Sequence, residues 1–253
     1  MMQEIFANQA HDPIPVALKI NDLVHGTRIT GADPQTGELP DTLEAQSANA
    51  LQNVKRAVEA AGGSTDHIAQ VSFFFKNFAG SIMRDVINPL WVEMFTDENS
   101  RPTYKFMPAP ELPGDQLVHV EFWAVPGQKR NSIQIPNVAH TNPIPFGVKM
   151  GRYLFSSRCL PMDPATSKNP EGMEAQLACS IGNATTLLDM AGMSWSDVTQ
   201  GRAFVNDMGH LPAVQQAWKA KFAAAAAPLH PVLYGVGGNA HVYVEFIAAG
   251  KAS

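Results

Sequence analysis

Two carboxylates stand where a chain usually keeps apolar side chains. Glu121 lies in VHVEFWAV (118–125) and Glu245 in VYVEFIAA (242–249). A carboxylate held on a rigid strand can take a proton from water and pass it on, the work of a general base in hydrolysis. Strand alternation sends Val118, Val120, Phe122 and Ala124 to one face and His119, Glu121, Trp123 and Val125 to the other. In the second phrase Tyr243, Glu245 and Ile247 share the acid's face. One reading of that face is a solvated outer surface. Trp123, Val125 and Ile247 beside the acids favour the other, a cleft covered by a neighbouring domain. His119 is either a proton partner for Glu121 or a satisfied structural imidazole. Cys159 follows Arg158, which could lower its pKa, yet a lone cysteine more often packs as a small hydrophobe.

Composition narrows the chemistry. The chain has 253 residues, 45% hydrophobic and 16% charged, with a net charge of −5. Such a chain folds as one or two domains with a real core. No basic block is present, which argues against a nucleic-acid partner. No stretch approaches the roughly 20 apolar residues of a spanning helix, so no membrane partner is expected. The start, MMQEIFANQAHDP, lacks the pattern of a signal peptide. Two cysteines with no CxxC point to reduced thiols and a cytoplasmic setting. The histidines form no HxxxH or HExxH, and neither GADPQTG nor GVGG is a phosphate-binding loop. No metal and no cofactor are expected.

The acid-bearing phrase is one part of a longer repeat. EAQSANALQN (44–53) returns as EAQLACSIGN (174–183), Gly62 as Gly192, and ADP (32–34) as MDP (162–164), all 130 residues on. Trp91 and Phe95 return as Trp218 and Phe222, and Glu121 as Glu245, at slightly shorter offsets. An ordered, nearly constant offset marks a duplicated domain, and the period is too long for a solenoid. We place the copies at 1–128 and 129–253, divided near the polar, Pro-containing GQKRNSIQIPNVAHTNPIP.

Each copy has the same grammar. A β-run (21–31 or 151–161) precedes a long helix, 41–61 in the first copy, with an apolar stripe of Leu43, Ala48, Leu51, Val54, Val58 and Ala61. Asp41 can cap this helix and Gly62-Gly63 can end it. Met173, Leu177, Ile181, Ala184, Leu187 and Ala191 repeat the stripe. A β-run (68–78 or 198–208), a shorter helix with Trp91 or Trp218, and two closing strands follow. The order ββαβαββ, twice, is an α+β layer structure with two helices on one face of each sheet.

These words resemble the Rid family of reactive-intermediate deaminases, the YjgF/L-PSP group. The resemblance rests on DPQTGELP, EAQSANALQN, FFFKNF and HVEFWA in the first copy. The second copy supplies MDPATSKNP, EAQLACSIGN, FVNDM and YVEFIA. It implies tandem chorismate-mutase-like domains, each a mixed sheet with two helices on one face. It also implies a homotrimer whose six domains form two rings of three, with ligand sites in clefts between domains. The implied reaction is hydrolysis of an imine or enamine to a 2-oxo acid and ammonia. An arginine fork would hold the substrate carboxylate, and the last-strand glutamate would activate water.

The family's P-A-R-S falls on Pro102-Thr103-Tyr104-Lys105 and on Pro231-Val232-Leu233-Tyr234, so neither copy keeps the arginine. Tyr104, Lys105, the preceding Arg101, and Tyr234 are the candidates at that place. Arg158 falls where the resemblance puts a glycine, which the first copy keeps as Gly31, and it could supply the missing fork. Phe146 falls near a family aromatic that lines the pocket. The expected function is a C–N hydrolase acting on a carboxylate-bearing imine or enamine, in a narrower form an aminomuconate-type deaminase. The alternative is a non-catalytic ligand-binding or structural trimer that has lost the clamp.

Overall fold

The computed structural model describes residues 2–6, 14–233 and 239–251. The chain divides into two compact units between Asn131 and Ser132. The first holds β1 (Met2–Ile5), β2 (Ala17–Ile20), β3 (Leu23–Thr30), α1 (Leu43–Ala60), β4 (Ile68–Phe75), α2 (Asn88–Met94), β5 (Thr103–Pro108) and β6 (Val118–Ala124). The second repeats this order. Its strands are β7 (Asn131–Ile133), β8 (Gly147–Met150), β9 (Tyr153–Ser156), β10 (Val198–Val205), β11 (Leu229–Leu233) and β12 (Val242–Ala249). Its helices are α3 (Met173–Met190) and α4 (Leu211–Lys219).

Each half is a six-stranded mixed sheet, ordered β1-β2-β3-β6-β4-β5 and β7-β8-β9-β12-β10-β11. β4–β5 and β10–β11 run parallel, whereas β1–β2, β2–β3, β3–β6, β4–β6, β8–β9, β9–β12 and β10–β12 run antiparallel. The expected α+β class holds in both halves, with one addition to ββαβαββ. An edge strand, β1 or β7, precedes each copy's first hairpin. These strands are four and three residues long and carry little alternation to read.

The helices form where the stripes predict. Leu51, Val54, Val58 and Ala61 are buried, as are Leu177, Ile181, Ala184, Leu187 and Ala191. Thr42, one residue after the expected Asp41, caps α1 by accepting from the Ala45 amide at 3.2 Å. Gly62 takes φ +82 and Gly192 φ +64, the left-handed backbone that ends a helix. Lys19 on β2 donates to the Ala61 carbonyl, and Lys149 on β8 to that of Ala191. A cation thus closes each helix at its negative end.

The repeated EAQ…N phrase is a pair of brackets. Gln46 donates from Nε2 to the Pro40 and Asp115 carbonyls, and its Oε1 accepts from the Leu117 amide. Gln176 does the same with Pro170, Asn239 and the His241 amide. Asn53 donates to Thr30 and Ala32, and Asn183 to Leu160 and Met162. Each helix therefore grips the start of the last strand with one amide and the turn after the hairpin with another. Gln46→Leu would leave two carbonyls and one amide without these partners. We predict a loss of about 2 kcal/mol, read as a lower urea midpoint with unchanged slope. Gln176→Leu should cost a similar amount.

Candidate functional site

The last strands behave as alternation requires. Val118, Val120, Phe122 and Ala124 are fully buried on the helix side, and His119, Glu121 and Trp123 sit half-buried on the opposite face. In register, Glu121 faces Ser72 on β4, and Ser72 faces Lys105 on β5. On its other side, β6 meets β3 at an irregularity. Gly26 pairs with Phe122 and Ile29 with Val120, so Thr27 and Arg28 together oppose Glu121. This is a β-bulge, two residues against one, a device that re-aims side chains. Thr27 Oγ1 donates to Glu121 Oε1 at 3.2 Å. Arg28 is exposed and holds φ +58. His119 packs on Phe74, ring centroids 4.8 Å apart. Burial holds its pKa below the ordinary histidine value, Glu121 raises it, and Arg28 lowers it further.

The second copy builds the same frame with different contents. Glu245 faces Arg202 on β10, and Arg202 faces His230 on β11. Phe155 pairs with Ile247 and Cys159 bridges to Val244, which leaves Ser157 and Arg158 near Glu245 as Thr27 and Arg28 are to Glu121. Arg202 Nη1 donates to Glu245 Oε1 at 3.3 Å, with side-chain exposures of 32% and 1%. Arg158 lies over the Phe204 ring, its Cζ 4.2 Å from the centroid. Ser157 turns instead to the Pro145 carbonyl. His140, 5.3 Å from Phe146 between ring centroids, has a buried Nε2. Burial, then the Arg158 charge, push its pKa down to about 4.

The candidates from sequence scatter. Glu121, His119 and Lys105 share one sheet face, and Lys105, adjacent to the supposed arginine slot, is the residue of that dipeptide that faces the acid's side. Tyr104 does not join them. It packs edge-on to Trp91 and Phe73 beneath the helices, its hydroxyl bonded to Asn88, and burial raises its pKa. Val71, its partner on β4, points to the helices and fixes that outcome. Arg101 donates to the Phe95 carbonyl at the end of α2. Phe146 and Cys159 are fully buried in the core of the second unit. Tyr234 lies outside the described residues. The second P-A-R-S alignment slips by four. Leu229 pairs with Gly201 as Tyr104 pairs with Val71, whereas Leu233 is 63% exposed.

Sequence reasoning missed Arg28 and Arg202. GTRITGADP laid over SSRCLPMDP at the 130-residue offset sets Arg28 on Arg158, not Gly31 on Arg158. VTQGRAFV over IAQVSFFF sets Arg202 on Ser72. A charged residue inside a β-run was the same signal that marked the two glutamates. Among the described residues no cluster of three or more His, Cys, Asp or Glu could hold a metal, and no helix is long and apolar enough to cross a membrane.

Removing one partner of a buried ion pair leaves the other charge poorly solvated. Arg202→Met should cost about 2–3 kcal/mol in urea unfolding, and adding Glu245→Gln should recover more than half. His140 adds a pH dependence. The folded chain keeps it neutral down to about pH 4, whereas the unfolded chain protonates it near pH 6.5. Stability from this group is full above about pH 6.5 and falls by about 2–3 kcal/mol toward pH 4. His140→Phe should flatten that part of the stability profile.

A family model matches this frame twice. The family model described as Endoribonuclease L-PSP matches residues 7–126 and 138–248. The 2-iminobutanoate/2-iminopropanoate deaminase of Escherichia coli K12 is 32% identical over 94 residues, 37% of this chain and 71% of that protein. A RutC family protein of Pyrococcus horikoshii is 28% identical over 127 residues, 48% of this chain and 95% of its own length. Among solved structures, the YjgF gene product of E. coli is 26% identical with a TM-score of 0.43, covering 49% of this chain and 98% of that one. With both halves matched, the chain belongs to the Rid (YjgF/L-PSP) family as a tandem member.

Proposed function

We propose that this chain hydrolyses the C–N bond of a small carboxylate-bearing imine or enamine, releasing ammonia and a 2-oxo acid. The observation that carries the proposal is the arginine on the hairpin opposite a mid-strand glutamate, found in both copies. A guanidinium fork can hold the substrate carboxylate in a fixed orientation. A last-strand glutamate then takes a proton from water as the water oxygen bonds to the imine carbon. The proton passes to nitrogen, and the carbinolamine collapses to C=O as the C–N bond breaks and ammonia leaves. Water is the only co-reactant. The net charge of −5 favours a small anionic substrate held by single arginines over a polyanion such as RNA. An aminomuconate-type substrate, with its carboxylates and conjugated imine, is the narrower form of the proposal.

The relatives named as deaminases of 2-imino acids support this chemistry. The family resemblance supports assembly as a homotrimer, three chains supplying six domains. Sedimentation should then report three times the 27.3 kDa chain mass.

The test is ammonia release from 2-iminopropanoate generated in the assay, compared with its spontaneous decay. The wild type should accelerate it, and the combined Glu121→Gln, Glu245→Gln variant should lose about 100-fold or more in kcat. A wild type inactive on a panel of imines, or a double variant with full activity, would overturn the proposal.

A further inference from the structure

The two copies share a frame but differ at the one position that faces the glutamate from the inner strand. Ser72 stands opposite Glu121, and Arg202 stands opposite Glu245. The consequences for the two carboxylates diverge. Glu121 is half-buried, reaches solvent, and receives a neutral hydroxyl from Thr27. Glu245 is 1% exposed and bonded to a guanidinium at 3.3 Å. The Arg202 guanidinium occupies Glu245 Oε1, so that oxygen is taken up within the fold.

The hairpin arginines diverge in the same direction. Arg28 is exposed on a bulge at φ +58. That backbone suits glycine and is strained for an ordinary residue. Bulges and left-handed residues of this kind gather at ligand sites. Arg158, half-buried, lies against the face of Phe204, and it is not among the residues with positive φ. Around Glu121 the face also carries His119, within electrostatic reach of both Arg28 and Glu121. In the second copy the matching place after Val242 holds Tyr243.

We infer that the copies have divided their labour. The first copy is the open site, taking a small monocarboxylate ligand with Arg28 as the anion-holding group and Glu121 facing the reacting carbon. The second copy is closed by the Arg202–Glu245 pair and serves the fold. This inference rests on the proposed hydrolysis only for the role of Glu121, and the ligand site stands apart from it.

Two arms separate the possibilities. In the first, the full chain is titrated with pyruvate, a 2-oxo acid, and followed by NMR. One pyruvate per chain is expected, with shifts at residues around Arg28. Arg28→Gly should weaken binding about tenfold or more, and Arg28→Lys should restore part of it. Glycine fits the φ at this position better than arginine does, so lost binding in that variant is not lost folding. Two pyruvates per chain, none, or an affinity indifferent to Arg28 would overturn the inference.

In the second arm, ammonia release from 2-iminopropanoate is measured for single variants. Glu121→Gln should lose about 100-fold in kcat, a larger loss than Glu245→Gln causes, and Arg28→Gly should raise KM with kcat little changed. Equal losses at Glu121 and Glu245 would overturn the division of labour. A wild type that binds one pyruvate through Arg28 yet releases no ammonia would sink the hydrolysis and uphold the open site.

Discussion

A buried side-chain amide in each half holds the rest in place. Gln46 and Gln176 each use both ends of one amide to join a helix to the segment entering the last strand. Register in a sheet has no tolerance, because a slip of one residue turns every side chain to the opposite face. The bracket fixes where the last strand begins, and so decides that Glu121 and Glu245 look away from the helices. Asn53 and Asn183 do the complementary work on the turn beyond the hairpin arginines. The two groups of the candidate site are therefore positioned by the same helix, at two points along it. This gives a physical reason for the repetition of EAQ…N beside the repetition of VEF.

On that shared frame, small substitutions have large electrostatic effects. Ser72 and Arg202 occupy one slot, and the exchange turns a carboxylate with a neutral partner into half of a buried ion pair. Lys105 and His230 occupy the next slot outward. In the first half the strand-borne cation, 4% exposed, is two strands from the acid, about 10 Å by ordinary sheet spacing. In the second it is adjacent. Moving one positive charge by one strand changes the acid's bonded partner, from the Thr27 hydroxyl to the Arg202 guanidinium.

Much of the fold was legible from the repeat. Two copies of any pattern filter out chance, and the stripes on α1 and α3 and the alternation on β6 and β12 appear in the structure as read. What failed was local. The bulge at Thr27-Arg28 breaks the period of two, so alternation could not place Arg28 opposite Glu121. The counterpart of Arg158 is Arg28, not Gly31. In the second copy the strand after α4 begins at Leu229, before Pro231, so the slots of Tyr104 and Lys105 are held by Leu229 and His230, not by Leu233 and Tyr234. The resemblance puts Tyr104 at the place of an arginine, yet its side chain lies under the helices. Its partner Val71, an apolar residue between two others of the helix side, carried the contrary signal. Arg202 was visible all along as a charge inside a β-run, and only the comparison with Ser72 shows its weight.

The central claim is that one half of a duplicated frame kept an open acid and the other sealed it. A crystal structure of the full chain with a 2-oxo acid bound measures this most directly. Ligand density is expected beside Arg28 and Glu121, with the Arg202–Glu245 pair intact. Density beside Glu245 with Arg202 swung away, or equal occupancy in both halves, would contradict it.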